Sequence, residues 1–375
     1  MRELPHGPIH GRIVTLRDPA LEDVDGIVEA CNDEATQRFL ARLPSPYTTD
    51  DARRWITAQV PRGWAEGHAE FAVVLGGSDR IAGAVALGAP TLGGYATSLG
   101  YWTAPWARGR GVATDAARTL AQWAFGNGFG RIELTTHPAN AASMRVAMAA
   151  GFTHEGVRRS AMHDGDRWLD QVVWSRLSTD SGEPMPRALP DLPGGSLADG
   201  AITVSPVRDS DSDDMYRLAS LPEVIATTVI RHPPTPSSVA ERCSTAAYRW
   251  IIGERATCAI RDTATGAFAG TIGLYPEPPT GQAMLGYSLV REWRGRGYAR
   301  RAVRLLADWA FDMAGVARLV AGTAPDNIAS QRTLSGAGFT REGYERARLP
   351  SIGGGRVDNI SWALLPDERA DLGGR

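Results

Sequence analysis

The chain contains its own second copy, and this limits its fold more than any other feature. The segment LGYWTAPWARGRGVATDAARTLAQWAF, starting at Leu99, returns as LGYSLVREWRGRGYARRAVRLLADWAF, starting at Leu285. The match resumes as AGFTHEG, from Ala150, against AGFTREG, from Ala337. Arg108 pairs with Arg294 and Asn140 with Asn327, so one residue has been inserted in the turn after Phe125 or Phe311. Weaker echoes extend outwards: Ile13–Arg17 against Ile202–Arg208, Arg54–Ile56 against Arg249–Ile251, and GDRWLDQVVW against GGRVDNISW near the two tails. A period this long describes two domains, each with its own core, rather than a solenoid. The expected boundaries are 1–178 and 200–375. Residues 179–199, with Pro184, Pro186, Pro190 and Pro193 and few apolar side chains, read as a semi-extended linker. The final ten residues read as a polar, frayed end.

Within one copy the periodicities alternate. Ile13–Arg17, Phe71–Leu75, Ile81–Leu87, Ser98–Thr103, Arg131–Thr136 and a stretch near Val172–Trp174 read as strands, the second and third forming a hairpin across GGSDR. Leu21–Cys31 and Thr49–Gln59 read as helices, the latter capped by Thr48 or Thr49. Ala113, Ala116, Ala117, Leu120 and Ala124 fall on one face of a helix, as do Ala299, Ala302, Val303, Leu306 and Ala310. A further helix, about Ala141 to Ala150, stops at Gly151, and its counterpart at Gly338. Trp123 and Trp309, beside alanines at helical spacing, read as core. The expected class is α/β (α+β): two domains, each a mixed, mostly antiparallel twisted sheet flanked by helices.

The repeated RGRG loop lies between a strand and a helix start. Glycines allow a tight turn and close backbone approach to a ligand. The free N–H groups of a helix N-terminus bind anions, phosphate above all, and arginines add charge-assisted bonds. Neither copy ends in the GK[ST] of a Walker A loop, and Thr114 and Arg300 stand where a dinucleotide fingerprint has its third glycine. A phosphate-dependent nucleotide hydrolase is therefore disfavoured; the chain has no lysine at all, its 40 basic residues being arginines. A net charge of −2 argues against a nucleic-acid binder. No stretch has the length of a membrane span, the N-terminus has no signal-peptide core, and three cysteines without a CxxC pair suggest neither disulfides nor a metal. A cytoplasmic location is expected.

Each repeat resembles a GCN5-related N-acetyltransferase (GNAT) domain, and within that superfamily the ribosomal-protein N-acetyltransferase (Rim-type) branch. The superfamily's R-x-x-G-x-G/A pattern is met by Arg108–Ala113 and by Arg294–Ala299. The downstream Asn-x-x-Ser, Gly-Phe and Glu-Gly are met by Asn140, Ser143, Gly151, Phe152, Glu155 and Gly156. The second copy meets them with Asn327, Ser330, Gly338, Phe339, Glu342 and Gly343. A looser match, the closing glycine-then-aspartate turn, falls on Gly165 and Asp170 and on Gly355 and Asp358. The resemblance implies an acetyl-CoA site in a V-shaped split between two central strands. It places the pyrophosphate on Gly109, Arg110, Gly111, Val112 and Ala113, and on Gly295, Arg296, Gly297, Tyr298 and Ala299. The pantetheine arm would lie on Ser98–Tyr101 or Met284–Tyr287, and Asn140 and Asn327 would be near the thiol.

The implied activity is transfer of acetyl from acetyl-CoA to a primary amine of a small molecule or protein N-terminus. Many superfamily members carry a tyrosine acid on the helix after the asparagine. Here Ala147 and Leu334 occupy that place, so Ser143 and Ser330 become the candidate acids, with helix capping as their alternative role. His137 and Glu277 are the candidate bases; Glu70 and Glu254 stand before strands, and Glu155 and Glu342 read as turn braces. Two other readings stay open: a non-catalytic acyl-CoA sensor or partner-binding module with degenerate domains, and transfer of another acyl group such as succinyl. The tandem pair is expected to replace a homodimer, leaving a monomer.

Overall fold

In the computed structural model, residues 4–40, 43–164, 167–228, 232–351 and 354–369 are described. The chain divides by contacts into two compact units, Met1–Pro186 and Arg187–Arg375.

In the first unit a short strand β1 (Ile9–His10) pairs with β2 (Val14–Arg17). Helices α1 (Val24–Cys31), α2 (Glu34–Phe39), α3 (Thr49–Arg54) and α4 (Val60–Ala65) follow. Thr48 caps α3, its hydroxyl accepting from the Asp51 N–H at 3.2 Å. The expected stop at Gln59 gives way to a π turn, Trp55–Gln59, running into α4. Pro61 follows just after this wider turn, where the helix changes its hydrogen-bond register. Strands β3 (Ala69–Leu75), β4 (Ile81–Leu87) and β5 (Ala96–Thr103) form an antiparallel meander. Helix α5 (Val112–Gly126) crosses to β6 (Arg131–Thr136), α6 (Ala141–Ala149) follows, and β7 (Thr153–Asp164) and β8 (Arg167–Leu177) close the unit. The sheet order is β1-β2-β3-β4-β5-β6-β8-β7, and only β5 and β6 are parallel.

The second unit repeats this plan. Strands β9 (Leu197–Ala198) and β10 (Ile202–Pro206) precede helices α7 (Ser212–Ala219), α8 (Pro222–Thr227), α9 (Pro236–Ser244) and α10 (Ala246–Ile251). Then come β11 (Ala256–Asp262), β12 (Phe268–Glu277), β13 (Gln282–Leu289), α11 (Tyr298–Asp312), β14 (Arg318–Thr323), α12 (Ile328–Gly336), β15 (Thr340–Pro350) and β16 (Arg356–Leu364). The sheet order is β15-β16-β14-β13-β12-β11-β10-β9, with β13 and β14 the parallel pair.

Three differences from the sequence reading have physical causes. The sequence predicts a single last strand in each copy, but each unit ends in a long hairpin. Strand β15 is mostly exposed and arginine-rich along TREGYERARLP, so it carries no apolar alternation to read. The second half of the stretch read as a linker packs onto the second unit. Leu189 and Leu192 are buried in that core, and the Trp250 indole donates to the Pro190 carbonyl at 3.0 Å. Pro366–Arg369 is a helical turn rather than a frayed end, with Arg369 bridging Asp312 at 2.7 Å and Asp308 at 3.6 Å.

Helices cover both faces of each sheet. In the second unit α11 and α12 bury Ala302, Val303, Leu306, Ala310 and Leu334 against β13, β14 and β16. On the other face Val207, Leu218, Val239, Cys243, Ala259 and Phe268 form a separate core. The apolar stripe of α5 is buried as its spacing requires: Val112, Ala116, Ala117, Leu120, Ala121 and Ala124. Trp309 is buried 5.5 Å from Trp250, and Trp123, only half-buried, packs edge-on to Phe71 at the margin of its core.

Candidate active site

The parallel pair in each sheet is held together only at its beginning. In the first unit Ala96, Thr97 and Ser98 stand against Arg131, Ile132 and Glu133. Beyond Ser98, β5 continues paired only with β4, and β6 continues paired only with β8. In the second unit pairing ends at Met284 and Val320. The split exposes inward-facing backbone amides along Leu99–Thr103 and Leu285–Leu289, which suits an extended amide-containing ligand lying as an added strand. Ser98 and Met284, expected along the pantetheine arm, are the last residues still paired.

The open end of each split meets the RGRG loop. A short 3-10 turn, Pro105–Ala107 or Arg291–Trp293, leads into it. Gly109 and Gly111 have φ of +71° and +79°, and Gly295 and Gly297 of +75° and +78°. This left-handed region favours glycine. Nothing lies within 4 Å of where a Cβ would stand on Gly109, Gly295 or Gly297, so the loops also leave room above their backbone. Gly111 and Gly297 are the N-caps of α5 and α11, and no side chain caps either helix. The first-turn amides, including those of Val112 and Ala113 and of Tyr298 and Ala299, are therefore available to an anion. The Tyr298 side chain points back to the fold, donating its hydroxyl to Asp262.

The loop arginines divide their work. Arg108 pairs with Asp33, the N-cap of α2, and donates to Thr36 Oγ1 at 2.8 Å. Arg294 donates to Glu223 at 3.0 Å and to the Leu289 carbonyl at 2.9–3.0 Å. Both thus tie the cradle to a helix of the opposite layer, α2 or α8. Arg108 holds the Asp33 carboxyl below its usual range. Glu223 is held at about 2 by its own backbone N–H, then by Arg291 and Arg294. The other two arginines remain at the surface: Arg110 is exposed, and Arg296 stacks over Trp293 at 4.8 Å.

Just beyond the ends of β6 and β14, Asn140 and Asn327 cap their helices, each Oδ1 accepting at 3.1 Å from the N–H of Ser143 or Ser330. The serines therefore do not act as the caps. The Ser143 hydroxyl lies 2.8 Å from the hydroxyl of Tyr101 on β5, and the Ser330 hydroxyl 2.8 Å from that of Tyr287 on β13. Burial raises both phenols, an effect the serine bond partly offsets, so they stay protonated. On the helix, where the resemblance predicts a tyrosine, Ala147 and Leu334 are buried core residues. The tyrosines that meet the serines belong instead to the repeated LGY, a signal identical in both copies.

The remaining candidates are more scattered. His137 Nδ1 accepts from the Ala139 N–H at 3.0 Å, within the turn that leads to α6, and its ring lies 5.8 Å from Phe39. Glu277 stands across from Gln282, whose amide it accepts. That is roughly 13 Å along the strand from Gly286, at about 3.3 Å per residue. Glu155 is braced by Arg131 and Ser175, and Glu342 by Arg318. Glu254 pairs with Arg249. Asp170 and Asp358 accept from the Ser160 and Ala347 amides at 2.8 and 2.7 Å, pinning a bulge in each hairpin, while Gly165 lies outside the described residues. No helix among the described residues is long and apolar enough to cross a membrane.

A split parallel pair with a glycine cradle at its mouth, present twice, is the arrangement the resemblance implied. The family model described as the acetyltransferase (GNAT) domain matches residues 14–153 and again 201–340. The chain belongs to the GNAT acetyltransferases. It carries two GNAT domains in tandem and is an N-acetyltransferase. Among curated proteins, the probable N-acetyltransferase YjcK of Bacillus subtilis (strain 168) is 28% identical over 177 residues, which cover 46% of this chain and 98% of that protein. Of similar solved structures, Mycobacterium smegmatis RimJ in complex with CoA-disulfide is 21% identical, covering 49% of this chain and 91% of that one with a TM-score of 0.43. Ribosomal-protein-S5-alanine acetyltransferase from Vibrio fischeri is 22% identical, covering 46% and 97% with a TM-score of 0.41. A GNAT relative of that length corresponds to one half of this chain.

Proposed function

We propose that each half transfers acetyl from acetyl-CoA to a primary amine of a small molecule or protein N-terminus, in its own split. The observation that carries this is the pairing of an uncapped helix N-terminus with a split parallel strand pair, built twice from different surrounding residues. The residues fit the ligand. Amides of residues 109–113 and 295–299 suit the pyrophosphate, and the free strand edges at Leu99–Thr103 and Leu285–Leu289 suit the pantetheine amides. When bound, acetyl-CoA supplies an activated thioester carbonyl.

The chain's own groups then have three tasks. The strand edges hold the reactants in register, and such positioning can supply ~7–11 kcal/mol of the barrier. The acceptor must arrive neutral, although a lysine-like amine has a pKa of ~10.4 and an α-amine ~7.7–8.0. A proton is therefore removed through solvent or a side chain of the groove. The Ser143 or Ser330 hydroxyl, kept in place by Tyr101 or Tyr287, is oriented to hand a proton to the departing thiolate. The Asn140 and Asn327 caps hold those serines on the first turn of their helices.

The test is calorimetric titration of acetyl-CoA into the intact chain and into Gly111→Trp and Gly297→Trp variants. Two sites, each lost with its own variant, are expected. A single site would leave one half as a scaffold, and no binding would overturn the reading. We also propose that the tandem pair takes the place of a homodimer. Light scattering should give the mass of one chain, and twice that mass would refute it.

A further inference from the structure

The two halves share a cradle but not an acceptor face. Tyr101 and Tyr287 point to α6 and α12, so by strand alternation Gly100 and Gly286 point to the opposite face of the sheet, beside the split. In the second half the ring of Tyr275 lies over this place. Its Cε2 is 3.2 Å from where a Cβ on Gly273 would stand and 3.9 Å from that on Gly286. Gly273 and Gly286 are register partners, and Tyr275 stands opposite Met284, which is 40% exposed. Arg255 immediately precedes β11, whose first residue Ala256 is paired with Leu274. Continuing that register sets Arg255 opposite Tyr275, with which it interacts electrostatically. Arg255 is half-buried, and among the described residues no carboxylate forms an ion pair with it. Glu254, its neighbour in sequence, is taken by Arg249, and Glu277, further along β12, by Gln282.

The first half differs at the positions that surround the matching glycine, Gly100. Gly88 replaces Tyr275, and nothing lies within 4 Å of where a Cβ on Gly100 would stand. His68 replaces Arg255, and Glu70 replaces Thr257 in the row Glu70–Ala86–Gly100. The C-terminal half thus offers an aromatic floor and an unpaired cation, the N-terminal half an open groove and a carboxylate.

We infer that the two halves take different amines, and that the C-terminal half selects acceptors bearing a carboxylate near the amine, read by Arg255 across the Tyr275 ring. A guanidinium matches a carboxylate with two parallel hydrogen bonds, so a neutral amide in its place is discriminated against. This rests on the proposed acetyl transfer.

The experiment measures kcat and KM for glycylglycine and for its C-terminal amide, with each half silenced in turn. With Gly111→Trp, leaving the C-terminal half active, kcat/KM should favour the free acid by about tenfold, the order expected of one charge-assisted pair. Arg255→Gln should abolish that preference by raising KM for the acid, and Arg255→Lys should restore part of it, which a merely misfolded variant would not do. With Gly297→Trp, leaving the N-terminal half active, the preference should vanish or reverse. Equal preference in both halves, or none in the C-terminal half, overturns the inference. Acetyl-CoA binding by the Gly111→Trp variant without transfer to either peptide also counts against it. Loss of all acetyl-CoA binding would instead refute the proposed function.

Discussion

At the residue scale the decisive pair is tyrosine and serine. Tyr101 and Ser143 are 42 positions apart, Tyr287 and Ser330 are 43 apart, and each pair of hydroxyls meets at 2.8 Å. A hydroxyl that serves as a proton donor works best when its rotor is fixed, and the phenol fixes it. In a chain whose C-terminal half is silenced by Gly297→Trp, Ser143→Ala is expected to lower kcat on the order of 10²-fold, as loss of a general acid does. Tyr101→Phe should act in the same direction but less. Steady-state kinetics should find KM for acetyl-CoA within about twofold in both, because neither touches the phosphate cradle. A KM effect without a kcat effect would remove the pair from the chemistry. The serines and asparagines were legible in the sequence because both copies keep them at one spacing. The tyrosines were equally repeated but could not be assigned, since strand alternation alone does not say which helix a strand residue meets.

At the element scale the repeats reach the same geometry by different charges. In the first half Asp115 of α5 accepts from the Ile13 and Val14 amides at 2.7 and 3.1 Å. In the second, Asp199 accepts from the Ala201 and Ile202 amides at 3.1 Å, and α11 contributes Arg301, which binds Asp199 at 2.7 Å. A strand start with exposed amides needs a carboxylate, and either element can furnish it. The hairpin is fastened similarly, Glu155 joining β7 to Arg131 of β6. Arg131 and then Ser175 hold Glu155 at about 2, below the usual carboxylate value. A depressed folded pKa means stability that is present above the unfolded pKa, near 4.3, and lost as pH falls from there towards 2. Glu155→Gln should therefore flatten the fall of Tm between pH 5 and 2.5, measured by thermal melts in steps of pH. An unchanged slope would show that the pair contributes nothing to folding. The sequence predicts Glu155 as a brace of the turn after Gly151 and Phe152; instead it lies within β7 and reaches Arg131, 24 residues away on β6, across the intervening β8.

At the scale of the whole molecule, duplication has preserved the glycine loop and let the sheet face around Gly100 and Gly286 drift. Arg108 and Arg294 both tie the loop to a helix of the opposite layer, one through Asp33 and the other through Glu223. The loop glycines, the asparagine caps and the paired serine and tyrosine hydroxyls are the same in both halves. The positions around Gly100 and Gly286 are not, with His68, Glu70 and Gly88 in one half and Arg255, Thr257 and Tyr275 in the other. Two cofactor sites by calorimetry together with different acceptor preferences would describe one chain with two specificities. Two sites with the same preference would describe a duplicated dose of one activity.

The sequence by itself determined that there are two similar domains, where each glycine cradle lies, and which helices follow it. These are local facts: a periodicity, a glycine needed for a left-handed turn, a cap beside its helix. Only the tertiary structure decided that β5 and β6 part after three residues, that Tyr101 meets Ser143, and that Tyr275 lies over Gly286. Those depend on register and on which face of a sheet each side chain takes. A shift of one residue would turn every side chain of a strand to the other side. The hairpin β15–β16 and the packing of Leu189 and Leu192 were hidden for a related reason, since exposed edge strands and proline-rich segments carry little apolar pattern of their own. They acquire their places from the surface they lie against.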